Sequence, residues 1–454
     1  MTAKALHFRS IAELAPMLAS RAITSESLTT ACLAEIAGKS EPLAAFITVT
    51  GNEALEQARA LDAETAAGHL RGPLHGIPIS IKDLIDVRGV PTTAASRVRQ
   101  GHVASADAPV TARLRAAGAV LLGKTNLHEF AFGTTSEDSA YGAVRNPHDP
   151  QRSPGGSSGG SAVSIVTGMS VASIGTDTGG SIRIPAAACG TVGLKPTWGE
   201  VPCDGVVPLS ESLDHVGPLA RSVTDAWLLY LVMRGERAAA QWPLPTRTDV
   251  RGMRFGIPRS YFLDTVDDQV RQRFAEVLAW LRQAGADTVD VAIPHAHAIG
   301  AVYSLTSLPE ASAYHANTIE RHPELYTPTV RLRIEMGRYL LAEDYVRARR
   351  GRDVLRAEVD TALAGCDALA LPTLPILAPR IGAGSVAIAG RMEPVRTLML
   401  KLTQLFNLTG HPAISMPIGP AVSGLPCGLQ LVGRRHQTEA LLGVASACEA
   451  HTQG

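Results

Sequence analysis

Short apolar runs of strand length alternate with helical patterns along most of this 454-residue chain. The runs at residues 77–84, 119–122 and 171–174 are almost continuously apolar, which is typical of strands covered on both faces. Helical patterns at residues 109–117 and 161–167 lie between them. Because strands that alternate with helices pack into layers, we predict an α/β fold with a mixed, largely buried central sheet and helices on both faces.

The two ends of the chain bear on its domain organisation. Three helical patterns with capping residues lie within the first 67 residues. Strand-like runs return near the end, and we expect them to join the early strands in one sheet. No repeat or long linker divides the chain, so the sequence predicts a single domain over residues 1–454. Within it we expect a packed N-terminal helical segment at 1–67 and a catalytic core at about 76–220.

Composition argues against several classes of partner. The 42 basic and 42 acidic side chains balance, so no charge excess drives nucleic-acid binding. Hydrophobic residues make up 45% and charged residues 19%, as in soluble globular proteins. The chain shows no signal-peptide core, no apolar run near the roughly 18 residues of a membrane span, and no CxxC pair. We therefore expect a cytoplasmic monomer or homodimer that binds a small molecule, and neither nucleic acid nor membrane.

Two segments rich in glycine and serine interrupt the pattern. Residues 153–161 read Ser-Pro-Gly-Gly-Ser-Ser-Gly-Gly-Ser, and residues 175–185 read Gly-Thr-Asp-Thr-Gly-Gly-Ser-Ile-Arg-Ile-Pro. The first would also suit a flexible linker, and the second a tight turn with a capping serine. Glycines at a strand-to-helix junction let backbone amides converge on an anion, either a phosphate or the oxyanion of acyl transfer. In the second case Ser181, which follows two glycines, is placed as the attacking group.

A serine nucleophile needs a base, and the sequence offers few. None of the 14 histidines lies in either glycine–serine segment. Only six basic residues are lysines, and one of them, Lys82, lies in the apolar, strand-like run at residues 77–85. Burial disfavours the ammonium form, so the pKa of a buried lysine falls toward values at which the neutral amine accepts protons. The alternative is a lysine that extends to solvent at the strand end, beside Asp83 as its ion partner.

Together these features resemble the amidase signature family. Beyond Lys82 and the two glycine–serine segments, the resemblance covers nearly the whole chain. The matching stretches are residues 76–83, 123–130, 145–147, 189–196, 209–218 and 407–417.

The resemblance implies a catalytic triad of Lys82, Ser157 and Ser181, with a cis peptide bond before Ser157. Lys82 would take a proton from Ser157, which takes one from Ser181. Ser181 would attack the carbonyl of a carboxamide, anilide or carbamate and form an acyl-enzyme. No metal or organic cofactor is implied. The backbone amides that would hold the oxyanion are those of Thr178, Gly179, Gly180 and Ser181.

Substrate specificity would come from loops around the cleft. One candidate lining is the segment at residues 309–326. An apolar cleft would suit aryl or medium acyl groups better than charged ones. The other candidate lining consists of Phe132, Gly133, Thr134 and Thr135.

Four other interpretations compete with this one. Residues 118–125 match the phosphate-loop pattern GxxxxGK[ST], but the residues inside the pattern form a predicted strand and not a loop. His295 and His297 could begin the site of a metal-dependent amidohydrolase, although two ligands do not make a site. Within the family, the alternative is the glutamine-hydrolysing amidase subunit of the tRNA-dependent amidotransferase, which works with partner subunits. That subunit usually reads Ser-Ile-Arg-Gln-Pro after the nucleophile, whereas this chain has Ile184 in place of the glutamine, so we favour a free-standing amidase. A non-catalytic relative is disfavoured because all three catalytic positions are filled.

Overall fold

A computed structural model describes residues 5–236, 244 and 246–452 of the chain. Within these residues, one sheet of eleven strands runs through the protein and a separate hairpin of two strands lies apart from it. The strands are β1 (Phe46–Val49), β2 (Pro78–Lys82), β3 (Val120–Thr125), β4 (Ala172–Thr176), β5 (Val192–Lys195), β6 (Val216–Ala220), β7 (Arg254–Pro258), β8 (Asp287–Val291), β9 (Ala368–Pro372), β10 (Ser385–Ile388), β11 (Arg391–Pro394), β12 (Ala413–Pro420) and β13 (Pro426–Val432).

The helices of the described residues connect and cover these strands. They are α1 (Ile11–Ala19), α2 (Ser25–Leu43), α3 (Gly51–Ala66), α4 (Pro109–Ala116), α5 (Gly159–Val166), α6 (Arg183–Cys189), α7 (Val223–Arg234), α8 (Asp268–Gln283), α9 (Ile299–Arg321), α10 (Pro328–Gly337), α11 (Ala342–Leu363), α12 (Val395–Lys401), α13 (Gln404–Leu408) and α14 (Thr438–Thr452).

The large sheet is mixed, as predicted. Its strand order is β1-β3-β2-β4-β6-β5-β12-β13-β9-β7-β8. Strand β2 is parallel to both β3 and β4, and β7 is parallel to both β8 and β9. Between these two groups, all neighbouring strands in the order β4-β6-β5-β12-β13-β9 are antiparallel. The early and late halves meet where β5 pairs with β12, with Lys195 opposite Ala413. The prediction that the late strands join the early ones is therefore confirmed.

Strand β9 shows why the apolar runs are continuous. Ala368 and Ala370 belong to one hydrophobic cluster, and Leu369 and Leu371, which alternate with them, belong to another. Successive side chains of a strand point to opposite faces of the sheet. Both faces are therefore buried, so every position of the strand must be apolar.

The N-terminal segment at residues 1–67 contains three α-helices and one strand among its described residues. Residues Phe46–Val49 form the edge strand β1, which pairs antiparallel with β3. Helix α1 docks on α7, where the carboxylate of Asp225 accepts hydrogen bonds from the first backbone amides of α1, those of Ile11 and Ala12, at 3.0 and 3.2 Å. The helices α1, α2 and α3 lie where the sequence predicted helices, and β1 forms between α2 and α3 because four residues rich in β-branched side chains pair with an exposed sheet edge.

Candidate active site

The carboxyl ends of two neighbouring strands carry the predicted base. Lys82 is the last residue of β2, and Thr176 is the last residue of β4, which runs parallel to it. Ligands bind at this edge of strands in open α/β sheets. Lys82 Nζ donates a hydrogen bond of 2.7 Å to Thr176 Oγ1. Two strand ends, and not a mobile loop, position the amine.

Lys82 lies fully buried among hydroxyl groups. Its Nζ is 2.8 Å from Ser157 Oγ. Burial lowers the pKa of Lys82 to about 7, and the carboxylates of Asp177 and Asp214 oppose only part of this shift. A substantial fraction of the lysine is therefore neutral near pH 7, which is what a proton acceptor requires.

The first glycine–serine segment is packed tightly against the protein. Residues 153–160 are buried throughout, and the Gly156–Ser157 peptide bond is cis, as the resemblance implied. Ser136 Oγ is 3.2 Å from the carbonyl oxygen of Ser157. A Cβ on Gly156 would lie 2.7 Å from Ser136 Oγ, so only glycine allows this approach. The linker interpretation of this segment is wrong because the segment is part of the core.

The second glycine–serine segment brings Ser181 to the same place. Ser181 lies in the turn between β4 and α6. The backbone N–H of Ser158 donates a hydrogen bond of 3.1 Å to the carbonyl oxygen of Ser181, which joins the two segments. Ser181 is 6% exposed, whereas Ser157 and Lys82 are 0% exposed. Ser181 is therefore the most accessible of the three side chains, whereas Ser157 and Lys82 are shielded from solvent.

The turn before Ser181 presents backbone donors. Gly180 has φ +137°, a conformation that favours glycine. The turn is held by its carbonyl groups: Thr403 Oγ1 donates to the carbonyl oxygen of Gly179 at 2.6 Å, and the N–H of Ile184 donates to that of Gly180 at 2.7 Å. Within the described part of the chain, the N–H groups of residues 178–181 have no hydrogen-bond acceptor. Four free donors in one turn can bind an oxyanion.

A buried ion pair supports this turn. The Asp177 carboxylate accepts a hydrogen bond from the N–H of Ile182 at 3.1 Å, from Arg183 Nη2 at 2.9 Å and from Asn407 Nδ2 at 2.8 Å. Burial alone would raise the pKa of Asp177, but the Arg183 guanidinium holds it well below its usual range. Asp177 is therefore a permanent anion that fixes both ends of the turn, and its charge is balanced locally.

Sequence reasoning assigned no role to Asp177, Arg183 or Asn407. A signal for the first two was present, because an aspartate and an arginine six residues apart in a buried, glycine-rich segment must be paired to be tolerated. Asn407 lies 230 residues from Asp177 along the chain, and nothing local to either residue indicates their contact.

A second carboxylate holds the first residue of the turn. Thr178 Oγ1 donates a hydrogen bond of 2.6 Å to Asp214 Oδ1. The other oxygen of Asp214 accepts hydrogen bonds from the backbone N–H groups of Leu209 and Ser210, at 2.9 and 3.1 Å. Burial raises the pKa of Asp214 to about 6. The segment after β5 is thereby tied to the turn that carries Ser181.

The segment proposed to line the cleft lies against the Ser157 segment. Phe132 and Thr134 are both buried. A Cβ on Gly133 would overlap the imidazole of His128, and Ser153 Oγ donates a hydrogen bond of 2.7 Å to the carbonyl oxygen of Thr135. The segment thus lies against the glycine–serine segment that carries Ser157, held there by its backbone.

The other candidate lining, residues 309–326, covers the end of α9 and the turn after it. Within it Glu310 accepts hydrogen bonds from Ser210 and Ser212 at 2.6 and 2.7 Å. Tyr303, two turns earlier on α9, approaches the site more closely, since a Cβ on Gly179 would lie 2.5 Å from its hydroxyl oxygen. Sequence reasoning missed Tyr303 because a tyrosine inside an amphipathic helix resembles an ordinary core residue.

The alternative sites have other roles. Lys124 of the phosphate-loop pattern belongs to β3 and pairs with Asp83 at 2.9 Å, so the pattern forms a strand and not a phosphate-binding loop. His295 contacts the carboxylate of Glu358. Among the described residues, no group of three or more histidine, cysteine, aspartate or glutamate side chains could hold a metal ion. Within the same residues, every helix is too short or too polar to cross a membrane.

Known proteins are similar to this chain over most of its length. The family model described as Amidase matches residues 27–442. The chain is 40% identical to a glutamyl-tRNA(Gln) amidotransferase subunit from Anaeromyxobacter sp. (strain K), over 95% of this chain and 94% of that protein.

Solved structures of amidases are similar over almost the whole chain. One described as the crystal structure of amidase has a TM-score of 0.92 at 37% identity, covering 97% of this chain and 99% of that one. The native peptide amidase from Stenotrophomonas maltophilia has a TM-score of 0.84 at 32% identity, covering 98% of this chain and 97% of that one. The chain therefore belongs to the amidase family, whose members are hydrolases that act on carbon–nitrogen bonds.

Proposed function

We propose that the protein is a free-standing amidase that hydrolyses a small-molecule carboxamide, anilide or carbamate through Ser181, Ser157 and Lys82. The observation that carries the proposal is the fully buried amine of Lys82, 2.8 Å from Ser157 Oγ and next to a turn with free amides. A neutral amine is a competent base, and a serine between it and the nucleophile can relay the proton.

The first half of the reaction forms an acyl-enzyme. Lys82 accepts a proton from Ser157 while Ser157 accepts one from Ser181, and Ser181 Oγ forms a bond to the substrate carbonyl carbon. The free N–H groups of residues 178–181 stabilise the negative charge on the carbonyl oxygen. Ser157 then gives its proton to the departing nitrogen and takes one back from Lys82 as the carbon–nitrogen bond breaks, so that the amine or ammonia leaves and Lys82 is neutral again.

The second half consumes water. A water molecule gives a proton to the relay and attacks the ester carbonyl of the acyl-enzyme, and the same amides hold the oxyanion. The proton returns to Ser181 Oγ as the acid product departs. The protein's own side chains and backbone thus supply the base, the relay and the electrostatic stabilisation for both halves.

The decisive experiment replaces the nucleophile. We expect Ser181→Ala to lower kcat/KM by roughly 10⁴-fold or more, with an unchanged melting temperature, because the acyl-enzyme cannot form. Ser164→Ala is the matched control, since Ser164 is a buried serine of α5 whose hydroxyl is bonded to Ser161 and Ser170. The assay uses a panel of primary amides, anilides and carbamates, with mass spectrometry of the trapped acyl-enzyme. A folded Ser181→Ala protein that still turned over these amides would show the nucleophile assignment to be wrong.

The second candidate function is that of an amidotransferase component, which the 40% identity to such a protein favours. Against it stands Ile184, at the position where that component usually has glutamine. The two functions separate when the purified chain alone is given glutamine and the amide panel. Turnover of glutamine that appears only after the partner proteins are added would support the amidotransferase function over the free-standing one.

A further inference from the structure

Arg396 lies beside the proposed site. It is the second residue of α12, and its guanidinium carbon is 5.8 Å from the centroid of the Phe132 ring. Leu400, one helical turn further along α12, lies against the turn that carries Ser181, because a Cβ on Gly179 would be 2.9 Å from Leu400 Cδ2. The tyrosine that approaches the same glycine, Tyr303, is also close enough to act electrostatically on Arg396. Arg396 thus lies between the segment at residues 132–135 and the turn at residues 178–181 that carries Ser181.

This arginine has no counterion. Among the residues that the structure describes, Arg396 makes neither a hydrogen bond nor an ion pair. Arg183, the other arginine of this region, shows the usual arrangement, since it donates to Asp177, Asn407 and Gln430. Arg396 is half-buried, so its guanidinium has lost part of its water without gaining a partner, and its position suits an anion.

Arg333 adds a second positive charge from α10. Its Nη1 donates a hydrogen bond of 2.5 Å to the carbonyl oxygen of Phe132. Burial and the positive charge of nearby Arg396 lower the pKa of Arg333 to about 10. The two guanidinium groups are therefore close enough to repel each other. The acid of this region, Asp138, is engaged by His128 and Thr329. A net positive charge therefore remains at this end of the cleft.

We propose that Arg396, with Arg333 behind it, binds a carboxylate of the substrate, so that the protein hydrolyses small amides carrying a negative charge. This inference rests on the proposed function, because it places the carboxylate in the same cleft as Ser181. It also changes the sequence-based expectation of an apolar cleft for uncharged acyl groups. Arginine suits the role because its planar guanidinium pairs with a carboxylate through two parallel hydrogen bonds.

The carboxylate can belong to either half of the substrate, and two series of compounds distinguish the cases. Half-amides of dicarboxylic acids, such as succinamate, glutaramate and adipamate, carry it on the acyl half. N-acetylglycine carries it on the departing amine. Each is compared with a neutral amide of similar length, such as pentanamide or N-propylacetamide, by kcat/KM. We expect one anionic compound to exceed its neutral counterpart by on the order of 10²-fold.

The variant Arg396→Met then tests the residue. The ratio of kcat/KM for the preferred anionic substrate over its neutral counterpart should fall on the order of 10²-fold, and Arg396→Lys should retain part of it. Arg391→Met removes an exposed arginine from the hairpin before α12 and should keep the ratio of the unmodified protein. An unchanged ratio in folded Arg396→Met, or a preference of the unmodified protein for neutral amides, would overturn the proposal.

A binding measurement separates this proposal from the proposed function. Glutaramate and the other anionic compounds are titrated by calorimetry into Ser181→Ala and into Ser181→Ala/Arg396→Met, neither of which needs to turn over. Affinity that is lost only in the double variant supports the carboxylate site even if no amide is hydrolysed. Equal affinity, or no binding of any anionic compound to either protein, would overturn it even if neutral amides are hydrolysed.

Discussion

Lys82 and Lys124 lie on neighbouring parallel strands, and both are completely buried. Lys124 Nζ pairs with the carboxylate of Asp83 at 2.9 Å and donates to Thr92 Oγ1 at 3.0 Å. Among the described residues, Lys82 Nζ donates hydrogen bonds only to the hydroxyl groups of Ser157 and Thr176. One lysine thus has an anion in contact, and the other has neutral oxygen atoms.

This difference in partners gives the two lysines different roles, one structural and one chemical. Burial lowers the pKa of both lysines, but an adjacent carboxylate raises that of Lys124 again, by charge and by hydrogen bonding. A hydroxyl group stabilises the ammonium form much less than a carboxylate does. Lys124 is therefore suited to hold two strand ends together as a cation, whereas Lys82 is suited to exchange a proton. Burial alone does not make a lysine catalytic.

Replacement of Lys82 should have the largest effect on activity. We expect Lys82→Met to lower kcat/KM by roughly 10³- to 10⁴-fold, because the proton of Ser181 then has no acceptor. Stability should change little, since Lys82 has no carboxylate in its hydrogen bonds and its removal leaves no buried anion without a partner. Steady-state kinetics and a thermal melt measure the two quantities. A Lys82→Met protein with near-normal activity would remove Lys82 from the mechanism.

Replacement of Lys124 should affect the stability of the protein more than its activity. Lys124→Met should lower the free energy of unfolding by about 3 kcal/mol, because the charged Asp83 stays buried without its cation. The folded variant should keep most of its activity. Chemical denaturation of Lys124→Met and of Asp83→Asn/Lys124→Met measures this loss, and the double variant should recover much of it. If Lys124→Met were as stable as the unmodified protein but inactive, the roles of the two lysines would need to be exchanged.

The lowered pKa of Lys82 should determine how activity depends on pH. Because burial brings the pKa of Lys82 to about 7, the neutral base predominates above pH 7 and is lost below it. kcat/KM should therefore rise about tenfold per pH unit up to roughly pH 7 and then level off. A lysine with the ordinary pKa of 10.5 would give a rise that continues beyond pH 9. A profile still rising at pH 9, with the protein stable, would contradict the assignment of Lys82 as a base of lowered pKa.

Several features could be predicted because their signals are local. The continuous apolar runs that form β3 and β4 indicated a sheet covered on both faces. Lys82 was recognisable because a charge in such a run must have a reason. The phosphate-loop pattern at residues 118–125 was also rejected on local grounds, since its inner residues are predicted to form a strand and a phosphate-binding loop cannot be a strand.

Other features depend on contacts that a local reading cannot supply. The edge strand β1 forms because β3 offers it an unpaired edge. Asn407 and Gln430 reach Arg183 from 224 and 247 residues away. Arg396 looked like any surface arginine, and its lack of a counterion became visible only when its surroundings were known.

By itself, the sequence determined the α/β class, the two glycine–serine segments and a short list of residues for the chemistry. These depend on residue type and on neighbours a few positions away. Tertiary structure decided which of two buried lysines is paired with a carboxylate and which arginine is left without one. Solvation and pairing set the charge of a side chain, and both depend on groups that the chain brings together only when it folds.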